Sequence, residues 1–200
     1  MGVAKFPKRF AKEEKKVPEF EFQMVREDLV QLIDKSITRY VNVGTHRGIK
    51  VRWRWETKPN RQMYSLFDEV PLAMAIDEVL SNAVKYSFEN FAVDVSIGST
   101  SDDRFWNISI RDHGIRIPDD KLKEVFEPGR RLMLEPSYHG HYKAERPGYG
   151  MGLAYVKAIV EKHGGQVSIT CKPSFKAREY PSLEYEQRHT VVVNIHIPKN

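Results

Sequence analysis

The 200-residue sequence predicts a two-layer α/β sandwich, a mixed and mostly antiparallel sheet covered on one face by helices. Three observations lead there. Apolar residues recur at helical spacing in three stretches, and in several others they alternate with polar ones as half-buried strands do. The order along the chain is helix, strand, helix, hairpin, helix, hairpin, which suits helices packed on one side of a single sheet. The length suits one domain with a short tail and is enough to bury a substantial core.

Residues 19–22 read as a short strand, after which Val25, Leu29, Leu32, Ile33, Ile37, Tyr40 and Val41 mark one face of a first helix. Residues 49–56 alternate, with Ile49, Val51, Trp53 and Trp55 on one face and Lys50, Arg52, Arg54 and Glu56 on the other, the signature of a half-buried strand. Pro59 and Asn60 interrupt the pattern. A second helix then carries Leu72, Met74, Ala75, Ile76, Val79, Leu80, Ala83 and Val84. Strands at 91–97 and 105–110 flank the turn-rich 98–103 and form a hairpin. A short helix is expected over 118–127. Residues 128–148 contain proline, glycine, histidine and charge without periodicity, and uninterrupted loops of about that length in compact domains are mostly functional or disordered. A helix from Gly150 to His163 buries Leu153, Val156, Ile159 and Val160. Strands at 167–170 and 190–197 close the chain around the polar excursion 172–189.

The basic balance, with a pI near 9.2, first suggests a nucleic-acid partner. Its distribution argues against one. Lys5, Lys8, Arg9, Lys12, Lys15 and Lys16 against Glu13 and Glu14 place four of the five net positive charges in residues 1–18, which read as a basic tail or linker remnant. No apolar run is long enough to span a bilayer and no secretory leader is recognisable, so a cytoplasmic location is expected. Cys171, the single cysteine, can form neither an internal disulfide nor a zinc site and is expected to fill space near a strand end. The seven histidines read as isolated surface residues.

The densest chemical signal is Gly148-Tyr149-Gly150-Met151-Gly152-Leu153, three alternating glycines leading into an apolar helix. Glycine lets a backbone approach an anion closely, and the helix N-terminus offers unpaired N–H groups with a favourable dipole. On the second helix Glu78, Asn82 and Lys85 stand four and three residues apart along one edge, either a solvated face or a metal and phosphate edge. Asp112 closes an apolar strand and is followed by Gly114 and Ile117. It either caps a turn or accepts a hydrogen bond from the exocyclic amine of adenine. Arg130 and Arg131 open the long loop, where guanidinium groups could reach terminal phosphates.

Taken together and in order, Glu78-x-x-x-Asn82-Ala83-x-Lys85-Tyr86-Ser87, Asp112-x-Gly114 with Ile117-Pro118, Val125-Phe126-Glu127-Pro128 and Gly148-x-Gly150-x-Gly152-Leu153 resemble the N, G1, F and G2 boxes of bacterial sensor histidine kinases. The resemblance spans about residues 19–198. It implies the catalytic ATP-binding domain of the GHKL superfamily, with a Bergerat-type fold over 19–200 and an ATP lid at about 128–147. By the same resemblance Glu78, Asn82 and Lys85 are the catalytic positions, Asn82 is the Mg²⁺ ligand and Lys85 a phosphate contact. Tyr86, Asp112, Gly114 and Ile117 border the adenine. Arg130, Arg131, Gly148, Tyr149, Gly150, Met151, Gly152 and Leu153 surround the phosphates.

Two positions depart from the family pattern. Arg116 stands where the second G1 glycine is usual and either crowds the pocket or reaches a phosphate, and His189-Thr190 replaces the usual Gly-Thr. Kinases often carry Asn where this chain has Glu78, whereas hydrolysing relatives use Glu to polarise water, which leaves ATP hydrolysis open beside transfer. None of the seven histidines is followed by an acidic residue as a phosphoacceptor would be. The implied activity is therefore transfer of the γ-phosphoryl group of ATP·Mg²⁺ to a histidine on a dimerisation domain, in the same protein or in trans, with a response regulator downstream. The alternatives are a stand-alone GHKL serine kinase of the anti-sigma type and a degenerate domain that serves as an interaction module.

Overall fold

The computed structural model describes residues 21–54, 58–130, 150–173 and 189–199. The tail expected at 1–18, Trp55 and Glu56, Arg131, Gly148, Tyr149 and residues 131–147 of the expected lid lie outside them.

A two-stranded ribbon starts the fold. β1 (Val25–Asp28) pairs antiparallel with β3 (Tyr64–Phe67), and each strand leads directly into a helix, α1 (Leu29–Thr45) and α2 (Glu69–Tyr86). Both helices open on an aspartate whose carboxylate accepts a first-turn N–H, Asp28 from Val30 at 3.0 Å and Asp68 from Val70 at 3.2 Å. The ribbon thus launches α1 and α2 side by side.

The main sheet has five strands in the order β2-β4-β5-β7-β6. β2 (Lys50–Trp53) runs parallel to β4 (Ala92–Ser99), and β5 (Phe105–Gly114), β7 (His189–Pro198) and β6 (Gln166–Pro173) add antiparallel neighbours. Period-two alternation sends Val51, Val93, Val95, Ile108, Ile110, Val193 and Ile195 to the face on which the helices lie. There they meet Ile33 of α1, Leu72, Ile76 and Leu80 of α2, and Val156 and Val160 of α3 (Gly152–Lys162), all but buried. Among the described residues no helix is long and apolar enough to cross a membrane.

His163, just past α3, couples three elements. Its Nδ1 donates to the Ile159 carbonyl at 2.7 Å, its Nε2 accepts the Asp68 N–H at 3.1 Å, and Phe22 lies against its ring at 4.8 Å between centroids. Asp68 also accepts the Gln23 N–H at 2.8 Å. The side chain is 3 % exposed, so His163 is no surface histidine, and neither is buried His189.

Other expectations need correction. Residues 21 and 22 are not in a strand; the ribbon strand begins at Val25, which belongs to β1 rather than to α1. Glu19-Phe20-Glu21-Phe22 alternates well, but pairing with β3 decides which residues extend. The helix expected over 118–127 is two single 3₁₀ turns, Asp119–Lys121 and Glu124–Phe126, because Leu122, Val125 and Phe126 each turn toward the core without a continuous helical face. The last helix starts at Gly152 rather than Gly150, whose φ of 71° is left-handed.

Replacing His163 by Ala removes the acceptor of the Asp68 N–H and the donor to Ile159, a loss expected to cost about 1–3 kcal/mol. His163→Gln keeps a donor and an acceptor and should lose less. Urea denaturation of both variants is the check, and an unchanged midpoint for His163→Ala would refute the coupling.

Candidate functional site

α2 is the spine of the site. Glu78, Asn82 and Lys85 lie along one edge of it, and the structure joins the first two directly: Asn82 Nδ2 donates to Glu78 Oε1 at 3.1 Å. With its amide nitrogen turned to Glu78, Asn82 keeps its carbonyl oxygen as an acceptor, and no hydrogen bond to that oxygen is present among the described residues. Burial raises the Glu78 pKa, against the opposing effects of the Asn82 bond and the Lys85 charge. Lys85 Nζ lies 5.1 Å from the centre of the Tyr86 ring.

α3 meets this edge at its N-terminus. A Cβ placed on Gly152 would run into the Glu78 carboxylate, so the absence of a side chain there is what lets the helix start come this close. Met151 occupies the N-cap position without a side-chain cap, which leaves the first N–H groups of α3 available to an anion. Leu153, the next residue, is half-buried and packs against the core. Between α2 and α3 runs a groove of about 300 Å³ lined by Met74, Ala75, Glu78, Gly152, Tyr155, Val156 and Ile159, in which Glu78 is the acidic group.

The other half of the site is stitched to the C-terminus of α2. Ser87 bridges Gly114, and the Phe88 N–H donates to the His113 carbonyl at 3.0 Å. Gly114 is again a contact glycine, since a Cβ there would overlap the Tyr86 carbonyl and come within 2.9 Å of Asp112 Oδ1. Asp112 was expected at a strand end; it lies inside β5, continuing the buried row of Ile108 and Ile110. Its side chain is 6 % exposed, and Oδ1 is buried with no hydrogen-bond partner among the described residues. Burial pushes its pKa well above the ordinary carboxylate range. An unpaired buried carboxyl oxygen is costly, and native structures keep few of them.

Ile117 is half-buried against the core, and its N–H donates to Cys171 Sγ at 3.3 Å. Arg116 is half-buried, close enough to Cys171 for its charge to act on the thiol. Arg130 is exposed and its Nε binds Glu127 at 3.0 Å. The Gly129 N–H donates to the Gly150 carbonyl at 2.8 Å, and both residues have left-handed φ, 76° and 71°. This bond closes the base of the segment that begins at 131 and was not anticipated; the glycines were its only sequence signal.

Residues 67–200 match the family model described as histidine kinase-, DNA gyrase B- and HSP90-like ATPase. The chain is 32% identical over 109 residues to the sensor histidine kinase WalK of Bacillus subtilis strain 168, covering 54% of the chain and 17% of WalK. It is 27% identical over 157 residues to the alginate biosynthesis sensor protein KinB of Pseudomonas aeruginosa, covering 78% of the chain and 24% of KinB. The chain thus spans a quarter or less of the length of these curated relatives. Among solved structures, the mycobacterial sensor histidine kinase MprB superposes with a TM-score of 0.64 at 25% identity, over 88% of this chain and 97% of that one.

Two outcomes test this geometry. Gly114→Ala sets a new methyl group against backbone and should destabilise the chain by about 1–3 kcal/mol, whereas Gly98→Ala, with open space around its Cβ, should be near neutral in the same denaturation assay. Unfolded Asp loses its proton near about pH 4 while folded Asp112 retains it, so the unfolded state binds fewer protons and stability falls as pH rises toward the raised native value. Asp112→Asn removes that slope. The variant should gain on the parent as pH rises above about 4, and a stability difference independent of pH would refute the assignment.

Proposed function

The chain belongs to the histidine kinase-, DNA gyrase B- and HSP90-like ATPase family, and from that premise we propose that it is the ATP-binding catalytic domain of a sensor histidine kinase, acting in two-component signalling. The observation that carries the reading is Asp112, whose buried Oδ1 has no partner among the described residues. A carboxyl oxygen that accepts hydrogen bonds, buried beside a contact glycine, is suited to the exocyclic amine of adenine. Gly114 and Ile117 border the base and Tyr86 packs beside it. From there α2 leads to Lys85 and Asn82, where the phosphates lie, with the uncapped start of α3 opposite.

The donor set suits Mg²⁺ as it is held in nucleotide sites. Among the described residues no three His, Cys, Asp or Glu side chains converge on a metal position, and Mg²⁺ commonly takes only one or two protein oxygens beside phosphates and water. Asn82 Oδ1 is such an oxygen, and Glu78 holds it through Nδ2. Held at Asn82, the metal would supply positive charge to offset that of the transferred phosphoryl group. The residues of the chain do the positioning: Asp112 sets the base, Lys85 supplies a compact cation, and the α3 N–H groups with Gly150 and Gly152 cradle the terminal phosphates. Gly148, Tyr149, Met151, Arg130 and Arg131 complete the phosphate side in this reading. Glu78, with its raised pKa, holds Asn82 and stands near the γ-phosphate.

The phosphoacceptor histidine belongs to a dimerisation domain outside this chain, and a response regulator receives the group next. A cytoplasmic site of action follows, since ATP and the regulator are there. Calorimetric titration with ATP·Mg²⁺ should show binding by the parent chain that weakens about tenfold or more in both Asp112→Asn and Asn82→Ala. Incubated with γ-labelled ATP and a histidine-bearing dimerisation domain, the parent should yield an acid-labile phosphoprotein. An acid-stable product would mark a serine kinase instead, and absence of nucleotide binding would leave an interaction module.

A further inference from the structure

Cys171 stands at the proposed nucleotide site. β5 pairs Asp112 with Val191 of β7, and β7 pairs Val191 with Cys171 of β6, so the three residues form one row across the sheet. Residues paired in register share a face, and the burial of Asp112 and Val191 identifies it as the helix-covered one. At one end of the row is Asp112 Oδ1, buried and without a partner among the described residues. At the other, Cys171 Sγ accepts the Ile117 N–H across 54 residues of sequence. The charges of Arg116 and Asp119, on either side of Ile117 in the chain, also act on the thiol.

Resting on the ATP reading, we propose that Cys171 is a positioning residue for the nucleotide pocket and a site at which thiol-reactive electrophiles close it. Its sulfur holds Ile117, the apolar wall beside the base, through the backbone N–H. Divalent sulfur is a weak acceptor, so this hold is readily lost when the sulfur is substituted. With a maleimide the thiolate attacks one alkene carbon, a C–S bond forms, the C=C π bond breaks, and the neighbouring carbon takes a proton from water. No oxidant or reductant is involved. The added ring then occupies the space between Cys171 and Ile117 and pushes the wall away from the Asp112 row. Burial raises the thiol pKa, so the reaction should quicken as pH rises.

The chain has a single cysteine, so labelling of the whole chain reports on this position alone. N-ethylmaleimide addition is followed by intact mass with and without a non-hydrolysable ATP analogue at ten times its Kd, and nucleotide affinity is measured before and after labelling. The analogue should slow labelling about tenfold, as mass action requires if the two exclude each other. Labelled protein should bind nucleotide about tenfold more weakly or worse. Cys171→Ser, which keeps an acceptor, should bind like the parent and be indifferent to the reagent, while Cys171→Ala should bind more weakly. Equal labelling rates with an unchanged Kd would overturn this inference alone. So would loss of binding accompanied by loss of far-ultraviolet circular dichroism, which would mean unfolding in place of a displaced wall. Failure of the untreated chain to bind nucleotide would overturn the ATP reading and this inference with it.

Discussion

The antiparallel register of α2 against α3 is the constraint from which the site follows. It is held at both ends. Near the start of α2 the Asp68 N–H is bound by His163 at the end of α3, and ten residues further along α2 the Glu78 carboxylate packs against Gly152 at the beginning of α3. At about 1.5 Å per residue, the stretch from Asp68 to Glu78 and that from Gly152 to His163 have nearly equal lengths, about 15 and 16 Å. Both contacts can therefore be made at once only in this register. A slide by one turn would leave the Asp68 N–H without its acceptor and carry the uncapped helix start away from Asn82. Gly152 matters here as the residue whose missing side chain sets how close the helices come.

The same helix fixes the base end of the site. Its last turn joins β5 through the Ser87 and Gly114 bridge, which places Tyr86 and Lys85 beside the strand that buries Asp112. α2 thus has α3 on one flank and β5 on the other, so that the positions of Glu78 and Asp112 are both tied to one helix. The two acids of the site, Glu78 and Asp112, are both shifted upward by burial. That shift has a destabilising side near neutral pH, most evident at Asp112, where an oxygen has no partner among the described residues. A chain built for stability alone would place an apolar residue there, as it does at Ile108 and Ile110 on the same row.

The parts of this arrangement that repeat along one helix were legible in the sequence. Glu78, Asn82 and Lys85 announce a shared edge by spacing, and the apolar periodicity of all three helices and of the main-sheet strands survives in the structure with small shifts of boundary. The ribbon was not legible. β3 is four residues long, and its partner β1 is mostly exposed, so neither carries the alternation that marks β2 or β5. His163 was hidden for another reason. Its partner Asp68 lies 95 residues away, and a lone histidine carries no sign of the backbone N–H it will meet. The bond from Ile117 to Cys171 is hidden in the same way, as is that from Gly129 to Gly150, where each glycine alone suggests only a turn.

The Gly129 to Gly150 bond also separates two tasks that the sequence merges into one glycine-rich stretch. Val125 and Phe126, just before it, pack on the core, and α3, just after it, is held by Glu78 and His163. Gly129 and Gly150 are therefore joined by a backbone hydrogen bond between two parts of the chain that are each held to the core. Closing a loop has an entropic cost that grows only as the logarithm of its length. The closure is made by backbone groups of two left-handed glycines, and the contacts of Glu78 with Gly152 and of His163 with Asp68 set the position of α3. The uncapped N–H groups at the start of α3 are thus held from α2 on one side and from the Gly129 turn on the other.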